Sequence, residues 1–281
     1  MLKLDVLEKV LTYSTNPLIE YLEEYFVNLH YIPWADGYTE DNVFLYELFC
    51  PPEEHLYKDS VMLVAHADIV GNEKNIKLFQ SWGAEDNNII CSCGSCCLDD
   101  RTGIAIILTI IEKLMKENVY PYVLITGEEE RGCHGALALL EDYPELKYLV
   151  PDNKVKCLIE VDRRGVNEVV FYDQDYPEFE EIFQTNYSKE TSFAWTDITV
   201  LGPMWGLASA NVSASYYHEH SFSEVATLGG IKLCSINLYH TILKLLKKAK
   251  DIDYFPYKGK MTTACMLALQ YNSPPSYTLQ G

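Results

Sequence analysis

The 281-residue sequence contains no apolar run long enough to cross a bilayer. Its longest, Gly103 to Ile111, is about half of the roughly 20 residues that a spanning helix needs. There is no cluster of Lys and Arg either. Only 22 basic residues stand against 41 acidic ones, and a formal net charge of −19 repels a phosphate backbone, which excludes nucleic acid as a partner. The amino terminus, Met1-Leu2-Lys3-Leu4-Asp5-Val6-Leu7-Glu8, lacks the basic head and unbroken apolar core of an export signal. With no such signal, nine cysteines, an odd number, read as reduced thiols and not as a disulfide framework. A soluble, cytoplasmic protein away from membranes is expected. The 15 glycines and 12 prolines show no repeating triplet, so collagen-like and low-complexity architectures are also excluded.

What is present is the composition of a folded chain, 48% hydrophobic and 12% aromatic. Apolar spacing predicts a helix or helix pair from Leu4 to about His30. Short runs rich in β-formers follow at 43–48, 61–65, 120–126 and 155–161, with a helix-forming apolar segment at 102–116 and a last long helix at about 230–250. In that last helix Ile231, Cys234, Ile236, Leu238, Ile242, Leu245 and Leu246 are expected to be buried. Strands alternating with helices predict an α/β fold: a mixed, mostly parallel central sheet with helices on both faces, three layers in all. Residues 251–281, rich in Tyr and Pro, give no clear pattern.

Acidic and histidine clusters fall at the carboxyl ends of predicted strands, where open α/β sheets place their sites. His66-Ala67-Asp68 follows the strand at 61–65, and residues two apart in an extended chain project to one face. Asp99-Asp100 precedes Arg101-Thr102-Gly103 and a helix. Glu128-Glu129-Glu130-Arg131-Gly132-Cys133-His134-Gly135 follows the strand ending at Thr126, and Asp162 ends the strand through Ile159-Glu160-Val161. Later comes His218-Glu219-His220-Ser221-Phe222-Ser223-Glu224. Singly, each has a plain explanation: a hydrogen-bonded core histidine, a helix cap or a solvated turn. Together they concentrate carboxylates at a cost that bound divalent cations remove.

The ordered series HAD, DDRTG, EERGCHGA, strand-terminal VD and HSFSE resembles the co-catalytic dinuclear zinc metallopeptidases, the clan of the bacterial leucyl aminopeptidases, the tetrahedral aminopeptidases and the carboxypeptidase G and peptidase T relatives. The resemblance implies their zinc-aminopeptidase fold and two divalent metal ions, zinc first, with cobalt or manganese tolerated. It implies that Asp99 bridges the two metals, that His66 and Asp162 complete one site, and that Glu130 and His220 complete the other. Glu129 would be the general base for a water between the metals. Gly132 sets this register within the three glutamates. Asp68 would orient the His66 ring, and an unusual peptide bond, cis in several relatives, would join Asp99 to Asp100. His218 competes with His220 for the last position, and Glu160 with Asp162; the motif favours His220 and the strand end favours Asp162.

Larger relatives carry an inserted lid or dimerisation domain. Here only 33 residues lead from His66 to Asp99 and 58 from Asp162 to His220, so residues 1–281 are expected to form one catalytic domain. The first interval has room for a hairpin, 76–79 with 88–91, bordering the site. Four thiols crowd into Cys91–Cys97, a spacing that suits one zinc ion poorly. They are read as a local feature of a reduced protein, with a structural zinc or redox switch as the sharper alternative. The expected activity is hydrolysis of a peptide or small amide, as an aminopeptidase. Alternatives are a hydrolase of N-acyl amino acids or dipeptides and a silent binding protein that keeps the fold. Glu128 or Asp197 could meet a substrate ammonium, and Arg163 or Arg164 a substrate carboxylate. Homo-oligomers are compatible with all of this.

Overall fold

The structure, a computed structural model, describes residues 3–56, 58–71, 77–80, 89–93, 95–146, 155–192 and 194–260; at 77–80, 89–93 and 95–96 it describes the backbone only. Two helices, α1 (Leu4–Thr12) and α2 (Thr15–Asn28), are followed by β1 (Ile32–Tyr38), β2 (Phe44–Cys50), β3 (Ser60–His66), β4 (Val70–Gly71), β5 (Lys77–Gln80), β6 (Ile89–Cys93) and β7 (Ser95–Cys96). Next come α3 (Leu98–Lys116), β8 (Tyr122–Thr126), α4 (His134–Asp142), β9 (Val155–Arg163), β10 (Glu168–Val170), α5 (Pro177–Phe183) and β11 (Ser188–Glu190). The chain continues with α6 (Asp197–Trp205), β12 (Ser209–Ser213), β13 (Tyr216–Tyr217), β14 (Val225–Thr227) and α7 (Leu228–Lys248).

Alternation along the strands builds the layers. In β3, Val61, Leu63 and Ala65 enter one hydrophobic core with α1, α2, α3, α5 and α7, while Met62 and Val64 enter a second core with α4 and α6. The sheet between them has eight strands in the order β1-β2-β8-β3-β9-β12-β10-β11. Its centre, β8-β3-β9-β12, is parallel, and antiparallel pairs flank it. This is the expected mixed, three-layer α/β architecture. Because β3, β8 and β9 run in one direction, His66, Thr126 and Asp162 come to the same edge of the sheet.

A smaller antiparallel sheet, β13-β14-β6-β5, stands beside that edge. Its β5–β6 pairing, with Phe79 opposite Cys91, is the expected hairpin; the predicted end residues Ile76 and Asn88 lie outside the described residues. Helix α3 begins at Leu98, earlier than its apolar pattern suggests, because the kinked turn containing Asp99 and Asp100 leads into it. In α7 the buried stripe runs through Ile231, Cys234, Ser235, Leu238, Thr241, Ile242 and Leu245. Ile236 is 42% exposed, contrary to expectation, since two residues beyond Cys234 is about 200° around a helix and faces water.

Candidate metal centre

Each element delivers its side chain for a local reason. His66 is the last residue of β3, 1% exposed, with its amide donating to Asp100 Oδ2 at 3.4 Å. The other Asp100 oxygen accepts from Gly103 N at 3.2 Å, so this buried carboxylate ties the strand end to the start of α3. The Asp99–Asp100 peptide is cis, the unusual bond that the resemblance implied. Gly103 is required by crowding: a Cβ there would lie 2.0 Å from Val161 O and 2.3 Å from Asp100 Oδ1. The glutamate turn after β8 closes through Gly132 N and Cys133 N, both donating to Glu129 O, with Gly132 at φ +108° where a side chain would be strained.

Asp68 holds two parts of this edge together. Its Oδ1 is 3.3 Å from His66 Nδ1 and accepts from Glu129 N at 3.1 Å, and its Oδ2 accepts from Glu130 N at 3.2 Å. One carboxylate therefore orients the imidazole and the two glutamates. Asp162 is fixed by hydroxyls, Tyr216 donating to Oδ1 at 3.0 Å and Thr196 to Oδ2 at 3.1 Å.

These supports bring six side chains to one place. His66 Nε2 lies 3.3 Å from Asp99 Oδ1, 3.7 Å from Asp162 Oδ1 and 3.9 Å from Glu129 Oε2. His220 Nε2 lies 3.2 Å from Asp99 Oδ2 and 2.8 Å from Glu130 Oε1. Among the described residues, His66–Asp99–Asp162, His66–Glu129–Glu130 and Asp99–Glu130–His220 each form a group able to hold a metal ion. Neither His218 nor Glu160 belongs to any of the three.

Burial opposes the charges here. It pushes Asp162 up to about 7, with Asp99 adding repulsion, and lifts Glu129 and Asp100 well above the usual carboxylate range. Burial acts against Asp99 too, but His220 and His66 beside it hold its carboxyl well below that range. His220 is driven up to about 10 by Asp99 and then Glu130. The cluster is short of positive charge.

The donor set fits a metal. A tetrahedral ion with bonds of about 2.0–2.2 Å holds its ligand atoms about 3.3–3.6 Å apart, close to the spacings around Asp99. Glu130 Oε1 is buried without a hydrogen-bond donor although His220 Nε2 is 2.8 Å away. The pairing is close but poorly aligned for a hydrogen bond, and a cation between the two atoms would satisfy both.

The residues read from sequence as substrate contacts fare differently. Asp197 is fully buried beneath the site and accepts a hydrogen bond from Thr126 Oγ1, so a substrate ammonium has no path to it. Asp197 is the first residue of α6 and is packed inward. Glu128 pairs with Arg131 at 3.0 Å, Arg163 with Glu168 at 3.1 Å and Arg164 with Glu219 at 3.2 Å. Arg164 is still half exposed. Sequence reasoning missed the supports: Thr196, Tyr216, Glu224 and the buried Arg101, whose Nε donates to Ala67 O at 2.7 Å. Only Arg101 and Glu224 stood inside a quoted motif.

The sequence profile of peptidase family M20/M25/M40 matches residues 62–250, which hold all of these side chains. The chain belongs to this family. It is a metal-dependent peptidase, and the clan expected from its motifs is the clan it falls in. A comparison with curated proteins gives no match. Among solved structures, the peptidase is similar to aminopeptidase PepT from Bacillus cereus, with a TM-score of 0.68 and 13% identity over 86% of this chain and 97% of that one. A tripeptidase from Staphylococcus aureus aligns with a TM-score of 0.63 and 11% identity over 86% and 97% of the two chains. The TET1 peptidase of Pyrococcus horikoshii, described as assembling into a tetrahedron or a large octahedral shell, gives 0.52 and 11% over 85% and 98%. At these identities the likeness is one of fold. Among the described residues no helix of the peptidase is long and apolar enough to cross a membrane.

Proposed function

We propose that this peptidase is an aminopeptidase that works with two divalent ions, zinc first. The observation that carries the reading is Asp99, whose two oxygens face different histidines, 3.3 Å from His66 and 3.2 Å from His220. Asp99 would then be shared, with His66 and Asp162 holding one ion and Glu130 and His220 the other. When bound, such a pair acidifies a water and polarises the scissile carbonyl. The remaining chemistry belongs to the chain. Glu129 sits within 3.9 Å of His66 Nε2, and burial raises its affinity for a proton, which suits a carboxylate that takes a proton from water and returns it to the leaving amine. Asp68 keeps the Glu129 amide and the His66 ring in register while it does so.

The preference for a free amino end rests on the acidic rim, where Glu128 remains 17% exposed, and on the fold shared with PepT and the TET peptidase. Arg164 favours a second reading. Half exposed and two residues beyond Asp162, it could hold the carboxylate of a dipeptide or N-acyl amino acid. The chain is further read as one catalytic domain that self-associates in the cytoplasm. The buried free thiols Cys50, Cys97, Cys133, Cys157 and Cys234 agree with a reducing compartment.

Metal-free protein reconstituted with zinc, cobalt or manganese and offered aminoacyl, acyl-amino-acid and dipeptide substrates tests this reading. Two ions per chain and a preference for substrates with a free amine are expected. Preference for blocked amines would transfer the proposal to the Arg164 reading, and fewer than two ions would overturn the shared role of Asp99.

A further inference from the structure

We propose that Glu224 is a positioning residue that couples the His220 turn to Asp99 and so sets the affinity of the second metal position; this rests on the two-ion reading above. Glu224 is fully buried, and its side chain crosses from the loop before β14 to the start of α3. There Oε2 accepts from Leu98 N at 2.8 Å and Oε1 from Asp99 N at 3.4 Å. The same carboxylate that anchors the loop thus holds the main chain of the aspartate facing both histidines.

The turn between His220 and Glu224 is tightly bonded. Ser221 Oγ donates to His218 O at 2.6 Å and accepts from Ser223 N at 3.3 Å, and Glu224 N donates to Ser221 O at 3.1 Å. His218 and His220 both have φ of 58°, a left-handed backbone that non-glycine residues hold only when neighbouring bonds enforce it. The His220 side chain is 50% exposed, so core packing does not fix it. Its distance to Asp99 is set through the turn, and the turn is fastened at Glu224. A carboxylate that merely capped α3 would affect the stability of the fold and nothing at the metals; the coupling assigned here acts on Asp99 and on the His220 turn together, and so weakens the second ion more than the first.

The test uses the full chain, stripped of metal and titrated with Zn2+ by calorimetry and with Co2+ by visible absorption. Glu224→Gln keeps one acceptor oxygen but sets an amide group against a backbone N–H. The expected result is a folded protein with a somewhat lower metal-free thermal midpoint, a second ion bound at least tenfold more weakly and a first ion weakened less. kcat would fall at limiting Zn2+ and recover with excess, with KM unchanged, and Glu224→Asp would restore part of the second-site affinity. Two ions bound by Glu224→Gln with wild-type affinity would overturn the proposal. So would equal weakening of both ions, or loss of folding in both variants, either of which assigns Glu224 a purely structural role. A wild-type chain that takes up fewer than two ions would overturn the two-ion reading and this proposal with it, whereas two in wild type and two in the variant would sink only the role of Glu224.

Discussion

His66 and His220 approach the same carboxylate, Asp99, from unlike surroundings. His66 ends a central strand at 1% exposure, with Asp68, Asp100 and the β3–β8 and β3–β9 ladders around it. His220 rides on an exposed turn held by short-range hydrogen bonds and by the Arg164–Glu219 and Glu224 contacts. A strand-borne group takes its position from the core, and a turn-borne group takes it from a few bonds that can be removed one at a time. Damage on the His66 side should therefore reach folding as well as chemistry, and damage on the His220 side should reach metal occupancy first.

The largest effect is expected inside the buried half. Glu129→Gln should reduce kcat by about 10²–10⁴-fold, the usual contribution of a general base, while both ions stay bound; undiminished turnover with full metal content would remove Glu129 from its role. The two histidines then provide the direct contrast. His66→Ala leaves buried carboxylates facing a cavity and should lower thermal stability together with metal content, whereas His220→Ala should keep the metal-free midpoint and lose one ion of two. Equal midpoints for the two variants would erase the distinction between the halves.

The arginines sharpen it further. Arg101 is fully buried and its guanidinium serves Ala67 O, Val10 O, Tyr13 O and Thr15 Oγ1, joining the α1–α2 corner to the His66-Ala67-Asp68 turn. Arg101→Met strands these acceptors and should cost about 3 kcal/mol by urea denaturation. Arg164→Met on the exposed side should cost under about 1 kcal/mol, as surface ion pairs do.

A separate effect, read through pH, concerns a carboxylate outside both halves. Glu47 on β2 is buried, with one oxygen lacking a hydrogen-bond partner, and burial, then Glu23 and Asp36, push it up to about 9. The folded chain holds this proton to about pH 9, while the unfolded chain releases it near the ordinary 4.5. Stability therefore falls as pH rises through that window, and Glu47→Gln should flatten the slope. An unchanged slope between pH 5 and 9 would show that Glu47 ionises freely in the folded protein.

The buried half was also the more legible in sequence. His66, at the end of β3, and Asp162, one residue short of the end of β9 and not at it as the sequence suggested, announce themselves because β-formers and a polar residue at the carboxyl edge leave few other readings, and the Asp99 and Glu129-Glu130 motifs carry their own glycines. The alternating strands likewise gave away the sheet and its two covered faces. Distances of 34 residues between His66 and Asp100, or 126 between Leu98 and Glu224, leave no periodic trace, so the bonds across them were invisible. Asp197 was misjudged for the same reason. Nothing in the residues around Asp197 shows which way its carboxylate faces, and only packing against Thr126, 71 residues away, reveals that it points inward.

The contact between Gly103 and Val161 O has a consequence for how this scaffold can change. Helix α3 and strand β9 meet there main chain to main chain, with no room for even a methyl group. The gap between the carriers of Asp99 and Asp162 is therefore a gauge cast in backbone, which a side chain at Gly103 would have to force wider. A change of metal or substrate then falls to the ligand types within this frame, or to the rim on the His220 side, which rests on a surface turn and not on the sheet.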